Sequence, residues 1–326
     1  MQKKIRVFEA FSGYGSQSIA LRNLGLPYEV VAISEIDKYA IQAYKAIHGE
    51  VNNLGDISKI NSKDIPQHDL FTYSFPCQDI SLAGKQASFE EGSGTRSSLL
   101  WECKKIIESC RPKYLLMENV KNLISKKHKP NFDKWLLYLE SLGYTNYWQI
   151  LNSKDYGIPQ SRERVFVISI LDEHKPYKFP KAFKLDKTIE DILEDSVPGK
   201  YFINDKRAKK MLETKIEFEI ISKSNKIIQL TYPSYSQQRI YSPLGISPTI
   251  SAGNNGGGKE PCKILLENKK VRKLTPKEVF RLMGMNDIDI YKIQNTSISD
   301  TQQYKMAGNS IVIQVLENIF KNLFMH

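Results

Sequence analysis

A cysteine, a glutamate and two arginines are the side chains of this 326-residue sequence whose positions suggest chemistry. Cys77 follows an apolar run that Pro76 closes, and proline ends a strand because it has no amide hydrogen. Glu118 follows a second apolar run, whereas Arg162 and Arg164 precede a third. A thiolate is a nucleophile, a carboxyl exchanges protons, and a guanidinium binds phosphates or carbonyl oxygens. If the runs are strands of one sheet, the groups share a crevice; otherwise Cys77 is an ordinary buried cysteine and Glu118 a capping or ion-paired residue.

The elements that must position these groups alternate between β and α patterns. Short apolar runs predict strands at 4–11, 28–34, 70–73, 114–117, 147–151 and 164–171. Longer amphipathic stretches predict helices at 38–48, 99–109, 132–142, 276–282 and from about 311 to 324. Thr275 followed by Pro276 is a typical start of a helix. This alternation is typical of an α/β domain with a largely parallel sheet.

A glycine turn and three acidic or apolar positions predict a cofactor site. Residues 11–16 join the first strand to a helix, and Gly13 and Gly15 let the backbone approach a ligand closely. Glu35 ends the second strand and is placed to accept hydrogen bonds from ribose hydroxyls. Asp56 and Ile57 could contact an adenine amino group and ring face, or could belong to a solvated loop. Nicotinamide enzymes use the same features, so the pattern leaves the cofactor open.

Composition restricts the partners. Lysine and arginine total 47 against 36 acidic residues, a formal charge of +11, which favours a polyanion such as nucleic acid. The four cysteines form no CxxC pair, so neither a zinc site nor a disulfide framework is predicted. No apolar run approaches the length of a membrane span. The sequence therefore predicts a soluble cytoplasmic protein that binds no metal and no membrane.

The α/β alternation fades after residue 183. Short polar and aromatic segments follow, among them Gln237 and Arg239, and then a glycine-rich stretch at 253–258. Such segments suit contacts with base edges and phosphates, although a flexible linker is an alternative for 254–259. We therefore predict a second, smaller domain in this region.

The ordered set of blocks resembles the DNA (cytosine-5) methyltransferases over essentially the whole chain. The blocks are FSGYGS, the Glu35 strand end, Gly55-Asp56-Ile57, Pro76-Cys77-Gln78, Glu118-Asn119-Val120, residues 160–164 and Gly308-Asn309-Ser310. The segments YSFPCQD, GSGTRS, LLWE and PKYLLMENV are also similar to those of the mycoplasma-type bacterial enzymes. Two positions depart from the family pattern. Glu9 replaces the aspartate that often precedes the glycine turn, and Arg96-Ser97-Ser98 replaces Arg-Gly before Leu99.

The resemblance implies a Rossmann-like S-adenosylmethionine-dependent methyltransferase sheet with a smaller, irregular target-recognition domain. The catalytic and cofactor-binding domain would comprise 1–183, completed by 298–326, and the target-recognition domain 184–297. The cofactor implied is S-adenosyl-L-methionine. The residues implied to bind it are Phe11, Ser12, Gly13, Gly15, Ser16, Glu35, Ile36, Asp56, Ile57, Pro76, Leu99, Asn309 and Ser310.

The resemblance also implies the reaction. Cys77 would attack carbon 6 of a cytosine rotated out of duplex DNA, Glu118 would protonate or share a proton with ring nitrogen 3, and Arg164 would hold the base carbonyl. Arg162 would support the loop, the phosphate or the base. Contacts with DNA would come from Gln78, Ser81, Gln237 and Arg239. The enzyme would act as a monomer in restriction-modification or phage DNA protection, with a possible partner endonuclease.

Other functions remain open on the sequence. A relative of the same family could methylate RNA cytosine, and a non-catalytic protein could use the scaffold to bind DNA. A nicotinamide oxidoreductase fits the fold alone, but it leaves Pro76-Cys77-Gln78 unexplained.

Overall fold

The computed structural model describes residues 3–75, 99–214, 222–232, 238–252 and 261–325. Its contacts divide the chain into two compact units. The first unit comprises Met1–Leu151, Glu163–Lys181 and Val315–His326, and the second comprises Asn152–Arg162 and Ala182–Gln314. Residues 152–162 and 298–314, which we expected to belong with the catalytic domain, therefore pack with the second unit. The functional assignment of the two parts stays a prediction.

The first unit is built on a mixed sheet flanked by helices. Its strands are β1 (Ile5–Ala10), β2 (Tyr28–Ser34), β3 (Leu70–Tyr73), β4 (Tyr114–Val120), β5 (Tyr144–Asn152) and β6 (Glu163–Leu171), in the spatial order β2-β1-β3-β4-β6-β5. Its helices are α1 (Ser16–Asn23), α2 (Lys38–His48), α3 (Cys103–Cys110) and α4 (Lys129–Ser141). The predicted Rossmann-like α/β class is confirmed.

The pairing of the strands sets where their ends lie. Strands β2, β1, β3 and β4 are parallel, with Tyr73 of β3 opposite Met117 of β4. Strand β6 is antiparallel to β4 and places Arg164 opposite Val120. Because an antiparallel strand begins where its neighbour ends, the start of β6 lies beside the carboxyl end of β4. The parallel strands β3 and β4 likewise end at the same edge of the sheet.

An aromatic cluster supports the end of β3. Trp135 of α4 is fully buried, and its indole Nε1 donates to the Tyr73 hydroxyl at 3.3 Å. The Tyr73 ring stacks on Phe71, and Trp101 packs edge-on against Trp135. Truncating a buried aromatic side chain of this kind to alanine costs roughly 3–5 kcal/mol of stability. The position where β3 ends is therefore held by packing from α4 as well as by the sheet.

The second unit combines short strands with helices. Strands β7 (Ile240–Tyr241), β8 (Lys263–Leu265) and β9 (Val271–Lys273) form a sheet in that order. The helices are α5 (Asp205–Leu212), α6 (Pro276–Arg281), α7 (Asp287–Gln294) and α8 (Asp300–Asn309), and α9 (Ile313–Phe324) continues into the first unit. Thr275 caps α6, as the sequence predicts, and its side chain also forms a capping box with Glu278.

Two kinds of site are absent from the residues that the structure describes. No helix among the residues that the structure describes is long and apolar enough to cross a membrane. Within the same ranges, no group of three or more His, Cys, Asp or Glu side chains is arranged to hold a metal ion.

Candidate active site

The turn between β1 and α1 has an unusual backbone. Phe11, Gly13 and Gly15 all have positive φ values, of 54°, 57° and 82°. The Phe11 amide donates to the Ser34 carbonyl at 2.7 Å, so the turn is tied to the end of β2. A Cβ atom on Gly15 would lie 2.5 Å from His48 Nε2, so the packing excludes a side chain there. Phe11 is not glycine, and its left-handed backbone marks a strained position of the kind found at ligand sites.

Glu35 ties the glycine turn to the end of β2. Its Oε2 accepts from the Gly13 amide at 2.9 Å, and its Oε1 accepts from the Ile36 and Asp37 amides, both at 2.8 Å. These bonds hold the carboxylate in one orientation. Each carboxylate oxygen has two lone pairs, so Oε2 can still accept from a ligand hydroxyl. Asp37 caps α2 by accepting from the Tyr39 amide at 2.9 Å.

The predicted adenine residues differ in exposure. Ile36 is 72% exposed, which is unusual for a large apolar side chain beside buried strands. Ile57 is 4% exposed and packs in the core. Asp56 Oδ1 accepts from the Ser58 amide at 3.0 Å and from its hydroxyl at 2.8 Å, and these bonds lower the pKa of Asp56 from its ordinary value. Ile36 therefore offers an open apolar face, and Asp56 an ionised acceptor.

A buried polar layer lies beneath the glycine turn. Glu9 is fully buried, and Ser18 Oγ donates to its Oε1 at 2.7 Å. Ser18 Oγ lies 3.4 Å from the Tyr44 hydroxyl, the Tyr44 ring packs on His48, and His48 Nε2 lies 3.1 Å from the Tyr14 carbonyl. Burial raises the pKa of Glu9 from 4.5 to about 7, against hydrogen bonds from Ser18 and Tyr44 that lower it. Sequence reasoning marked Glu9 only as a departure from the family, and nothing in the sequence linked it to Tyr44 or His48.

An ion pair joins the ends of β4 and β6. Arg164 Nε lies 3.2 Å from Glu118 Oε1, and the two side chains are 16% and 8% exposed. The pair follows from the antiparallel register, which places Arg164 opposite Val120, two residues beyond Glu118. A guanidinium beside a largely buried carboxylate fixes the orientation of that carboxylate. Two of the predicted catalytic residues therefore lie side by side.

Asn119 fixes the residue from which the predicted cysteine loop starts. Its Nδ2 donates to the Phe75 carbonyl at 3.1 Å, and both Asn119 and Phe75 are buried. Pro76, Cys77, Gln78 and Ser81 lie outside the described residues. Cys77, the predicted nucleophile, therefore lies two residues after Phe75, whose carbonyl accepts from Asn119. Sequence reasoning did not assign a role to the Asn119 side chain.

Arg162 has different surroundings from Arg164. It is 3% exposed, and its guanidinium donates to the backbone carbonyls of Ile250, Gly308 and Ser310 at 2.8, 3.0 and 2.8 Å. Arg162 lies in the second unit, whereas Arg164 lies in the first.

The other predicted residues vary in accessibility. Ser12 and Ser16 are buried in the glycine turn, and Leu99 is half-buried against the core of the first unit. In the second unit Asn309 is exposed, whereas Ser310 is buried and donates through Oγ to the Met306 carbonyl at 2.8 Å. Arg239 is exposed just before β7, and Gln237 lies outside the described residues.

The chain is similar to known proteins over nearly its whole length. Residues 5–325 match the family described as C-5 cytosine-specific DNA methylase. The chain is 40% identical to the type II methyltransferase M2.ScrFI of Lactococcus lactis subsp. cremoris, over 98% of this chain and 99% of that protein. It is 32% identical to the orphan methyltransferase M.SssI of Spiroplasma monobiae, over 98% of this chain and 97% of that protein.

A solved structure supports the fold. The Entamoeba histolytica methyltransferase EhMeth superposes with a TM-score of 0.76 at 21% identity, covering 99% of each chain. The predicted family, including its likeness to mycoplasma-type enzymes, is confirmed. The chain belongs to the C-5 cytosine-specific DNA methylase family and is a DNA (cytosine-5) methyltransferase.

Proposed function

We propose that this enzyme transfers a methyl group from S-adenosylmethionine to carbon 5 of a cytosine in a short specific duplex DNA site, through a covalent adduct with Cys77. The observation that carries the proposal is the Glu118–Arg164 pair, at 3.2 Å, beside the Asn119 side chain that anchors Phe75. An acid and a cation thus adjoin the start of the segment that contains the nucleophile.

The Glu118–Arg164 pair can form hydrogen bonds with one edge of cytosine. Ring nitrogen 3 accepts a proton, and the neighbouring carbonyl oxygen at carbon 2 accepts a hydrogen bond. A carboxyl that holds a proton suits the nitrogen, and a guanidinium suits the oxygen. When the base is bound, its carbonyl oxygen draws the guanidinium of Arg164 away from Glu118, and ring nitrogen 3 takes a proton from the Glu118 carboxyl. Glu118 is then both a reader of the base and a general acid.

Cys77 makes carbon 5 reactive. The thiolate adds to carbon 6, and the electron pair of the 5,6 double bond becomes available at carbon 5 while Glu118 protonates nitrogen 3. Carbon 5 then takes the methyl group. Loss of the carbon 5 proton to a base restores the double bond and expels the thiolate, and nitrogen 3 returns its proton to Glu118. Water is the candidate for that base.

The residues of the first unit fit the cofactor. S-adenosylmethionine, when bound, supplies an electrophilic methyl group on a sulfonium centre. Glu35 can accept from the ribose hydroxyls, Asp56 from the adenine amino group, and the exposed Ile36 can cover the adenine ring. The glycine turn, with Phe11, Ser12, Gly13, Gly15 and Ser16, would receive the methionine end. The family resemblance adds Ile57, Pro76, Leu99, Asn309 and Ser310.

Duplex DNA is proposed as the substrate because of the charge of the protein as well as its family. One face of α5, the basic face, exposes Lys206, Arg207, Lys209 and Lys210, while Ala208 and Met211 are buried beneath it. Such a face suits the phosphate backbone. Contacts from Gln78, Ser81, Gln237 and Arg239, and rotation of the base out of the stack, remain proposals. So do the 184–297 recognition domain, a monomeric state, a cytoplasmic location, a role in restriction-modification or phage protection and a partner endonuclease.

Methylation mapping tests the proposal. The chain is expressed in cells whose own DNA lacks 5-methylcytosine, and bisulfite sequencing maps every protected cytosine. We expect protection confined to one short sequence context in the wild type and none with Cys77→Ser. Purified Cys77→Ser should still bind duplex DNA.

Trapping and an RNA comparison complete the test. A duplex carrying 5-fluorocytosine at the mapped position should form a stable adduct through residue 77, because fluorine cannot leave as a proton does. Failure to form that adduct with cofactor and duplex both bound would contradict the covalent mechanism. Methyl transfer from labelled cofactor to total tRNA, with none to duplex DNA, would overturn the choice of substrate. Full activity of Cys77→Ser would overturn the assignment of the nucleophile.

A further inference from the structure

Arg162 joins two segments of the second unit that are far apart in sequence. Its Nη1 donates to the Ile250 carbonyl at 2.8 Å, and its Nη2 donates to the carbonyls of Gly308 and Ser310 at 3.0 and 2.8 Å. The side chain is 3% exposed, and carbonyl oxygens compensate for removing a guanidinium from water only when its hydrogen bonds are well formed. A residue placed in this way orders the backbone around it.

Gln160 completes the hold on Ile250. It is fully buried, its Oε1 accepts from the Ile250 amide at 2.9 Å, and its Nε2 donates to the Leu282 carbonyl at 2.7 Å. Two side chains that are two residues apart therefore bind both polar backbone groups of Ile250. The backbone on either side is also engaged, since the Ser161 amide donates to the Ser247 carbonyl at 2.8 Å and Thr249 Oγ1 donates to the Ser161 carbonyl at 2.6 Å.

Gly308 brings the second segment against the first. A Cβ atom on Gly308 would lie 2.3 Å from the Ala252 amide nitrogen and 2.4 Å from the Ser251 carbonyl carbon. Backbone therefore packs directly on backbone at this point, and no side chain can be accommodated. The segments 247–252 and 308–310, together with 159–162, form one interlocked structure, which we call the Arg162 clamp.

The two segments that the clamp joins have different proposed tasks. Asn309 and Ser310 are proposed to contact the cofactor. Residues 247–252 lie within the part of the chain, 184–297, that is proposed to recognise DNA. A change in the backbone of either segment therefore strains the hydrogen bonds of Arg162 or the contact of Gly308 with residues 251 and 252.

We propose that Arg162 is a positioning residue rather than a catalytic one, and that it couples binding of the DNA site to binding of the cofactor. The proposal rests on the proposed function. Coupling between two ligands is reciprocal, so DNA that orders 247–252 strengthens cofactor binding by the same factor by which the cofactor strengthens DNA binding. Without Arg162 each ligand must order its own segment separately.

The test compares Arg162→Lys with Arg272→Lys. Lysine keeps the charge at 162, but its single ammonium cannot reproduce the planar fork that reaches both segments. Arg272 is an equally buried arginine of the same unit, 2% exposed, and it pairs with Glu278 at 2.7 Å outside the clamp. It therefore controls for general destabilisation.

The readout is the dissociation constant of S-adenosylhomocysteine, measured by calorimetry with and without a short duplex that carries the mapped sequence context. We expect the duplex to tighten binding at least fivefold in the wild type and in Arg272→Lys, and less than twofold in Arg162→Lys, in line with typical coupling factors. The single-turnover rate at saturating ligands should stay within about threefold of the wild type, while both KM values rise.

A second variant keeps the proposal testable if Arg162→Lys does not fold. Thr249→Val removes an exposed hydrogen bond of the same clamp, and it should reduce the coupling factor in the same direction by a smaller amount. A wild-type coupling factor near one, or an unchanged factor in both variants, would overturn the proposal. A collapse of the single-turnover rate with normal coupling would return Arg162 to a catalytic role. Absence of any methyl transfer by the wild type would instead contradict the proposed function.

Discussion

Replacing Glu9 by glutamine should change how the stability of the first unit depends on pH. Glu9 is fully buried beneath the glycine turn, where burial raises the pKa of its carboxyl from 4.5 to about 7. Glutamine has nearly the same shape, and its carbonyl oxygen can still accept from Ser18. The substitution therefore removes the titration and preserves the packing and the acceptor.

The direction in which stability changes with pH follows from the number of protons bound by the folded and the unfolded protein. Between about pH 4.5 and pH 7 the folded protein keeps Glu9 protonated while the unfolded chain has released that proton, so raising the pH favours unfolding. The stability that Glu9 provides is complete below its unfolded pKa and is lost as the pH rises through its folded pKa. At about 1.4 kcal/mol for each unit of difference, the loss from about pH 5 to about pH 8 is roughly 2 to 3 kcal/mol.

The titration of His68 changes stability with pH in the opposite direction to that of Glu9. Burial lowers its pKa from 6.5 to about 4, so its ring stays neutral in the folded protein while the unfolded chain binds a proton. Raising the pH from about 4 to 6.5 therefore stabilises the fold through His68 and destabilises it through Glu9. The wild type should show a weak dependence in this range, because the two contributions nearly cancel.

The assay is urea unfolding from about pH 5 to about pH 8, followed by tryptophan fluorescence. Trp101, Trp135 and Trp148 all lie in the first unit, so the signal reports on the unit that contains Glu9. We expect the difference in unfolding free energy, Glu9→Gln minus wild type, to increase by roughly 2 to 3 kcal/mol across this range. A difference that stays constant with pH would show that Glu9 does not titrate there, and would refute the reasoning.

Three further predictions concern the site and the DNA surface. Glu118→Gln should lower the single-turnover rate by roughly 100- to 10,000-fold with little change in cofactor affinity, since a general acid is lost. Asn119→Ala should slow adduct formation with 5-fluorocytosine by about tenfold, because the Phe75 carbonyl loses its buried donor at 3.1 Å, which is worth roughly 1–3 kcal/mol. Replacing the three lysines of the basic face of α5 by glutamine should reduce the salt dependence of DNA binding, by about 0.9 in the logarithmic slope for each phosphate that the face no longer neutralises.

Each of these has an outcome that contradicts it. Equal losses of cofactor affinity and rate in Glu118→Gln would indicate a binding role. An unchanged adduct rate in Asn119→Ala would show that the Phe75 anchor is dispensable. The charge-matched control for α5 replaces three lysines of the first unit by glutamine. They are Lys175, Lys178 and Lys181, and all three are exposed. An equal fall in slope from both triple variants would indicate an effect of net charge alone.

The strands and helices with strong patterns could be predicted from the sequence. Strand β2 and helix α2 have the predicted bounds, because an apolar run ends at Glu35 and a capping aspartate begins the helix. Helix α4 begins at Lys129 rather than at the predicted residue 132, because Pro130 occupies its first turn, where proline is tolerated. Helix α3 begins at Cys103, later than the predicted residue 99.

Much of the second unit could not be predicted. Helix α5 buries only Ala208 and Met211, so its sequence has no broad apolar stripe. Helix α7 exposes Ile288 and Tyr291, which blurs its periodicity. Strands β7 to β9 have two or three residues each, too few for alternation to be recognised. These elements are specified by packing between distant segments rather than by local pattern.

The two arginines of the 160–164 block show where reasoning from spacing ends. Their spacing does not reveal their partners, which come from elsewhere in the chain: Glu118 for Arg164, and the carbonyls of Ile250, Gly308 and Ser310 for Arg162. The chain passes from the second unit to the first between Arg162 and Glu163. Arg164, which is proposed to bind the base, is therefore only two residues along the backbone from Arg162, which holds the clamp. A displacement of the clamp has a short covalent route to Arg164, so Arg162→Lys should also weaken discrimination between the mapped sequence context and its near variants, more than Arg272→Lys does. Equal discrimination in the two variants would confine Arg162 to cofactor binding.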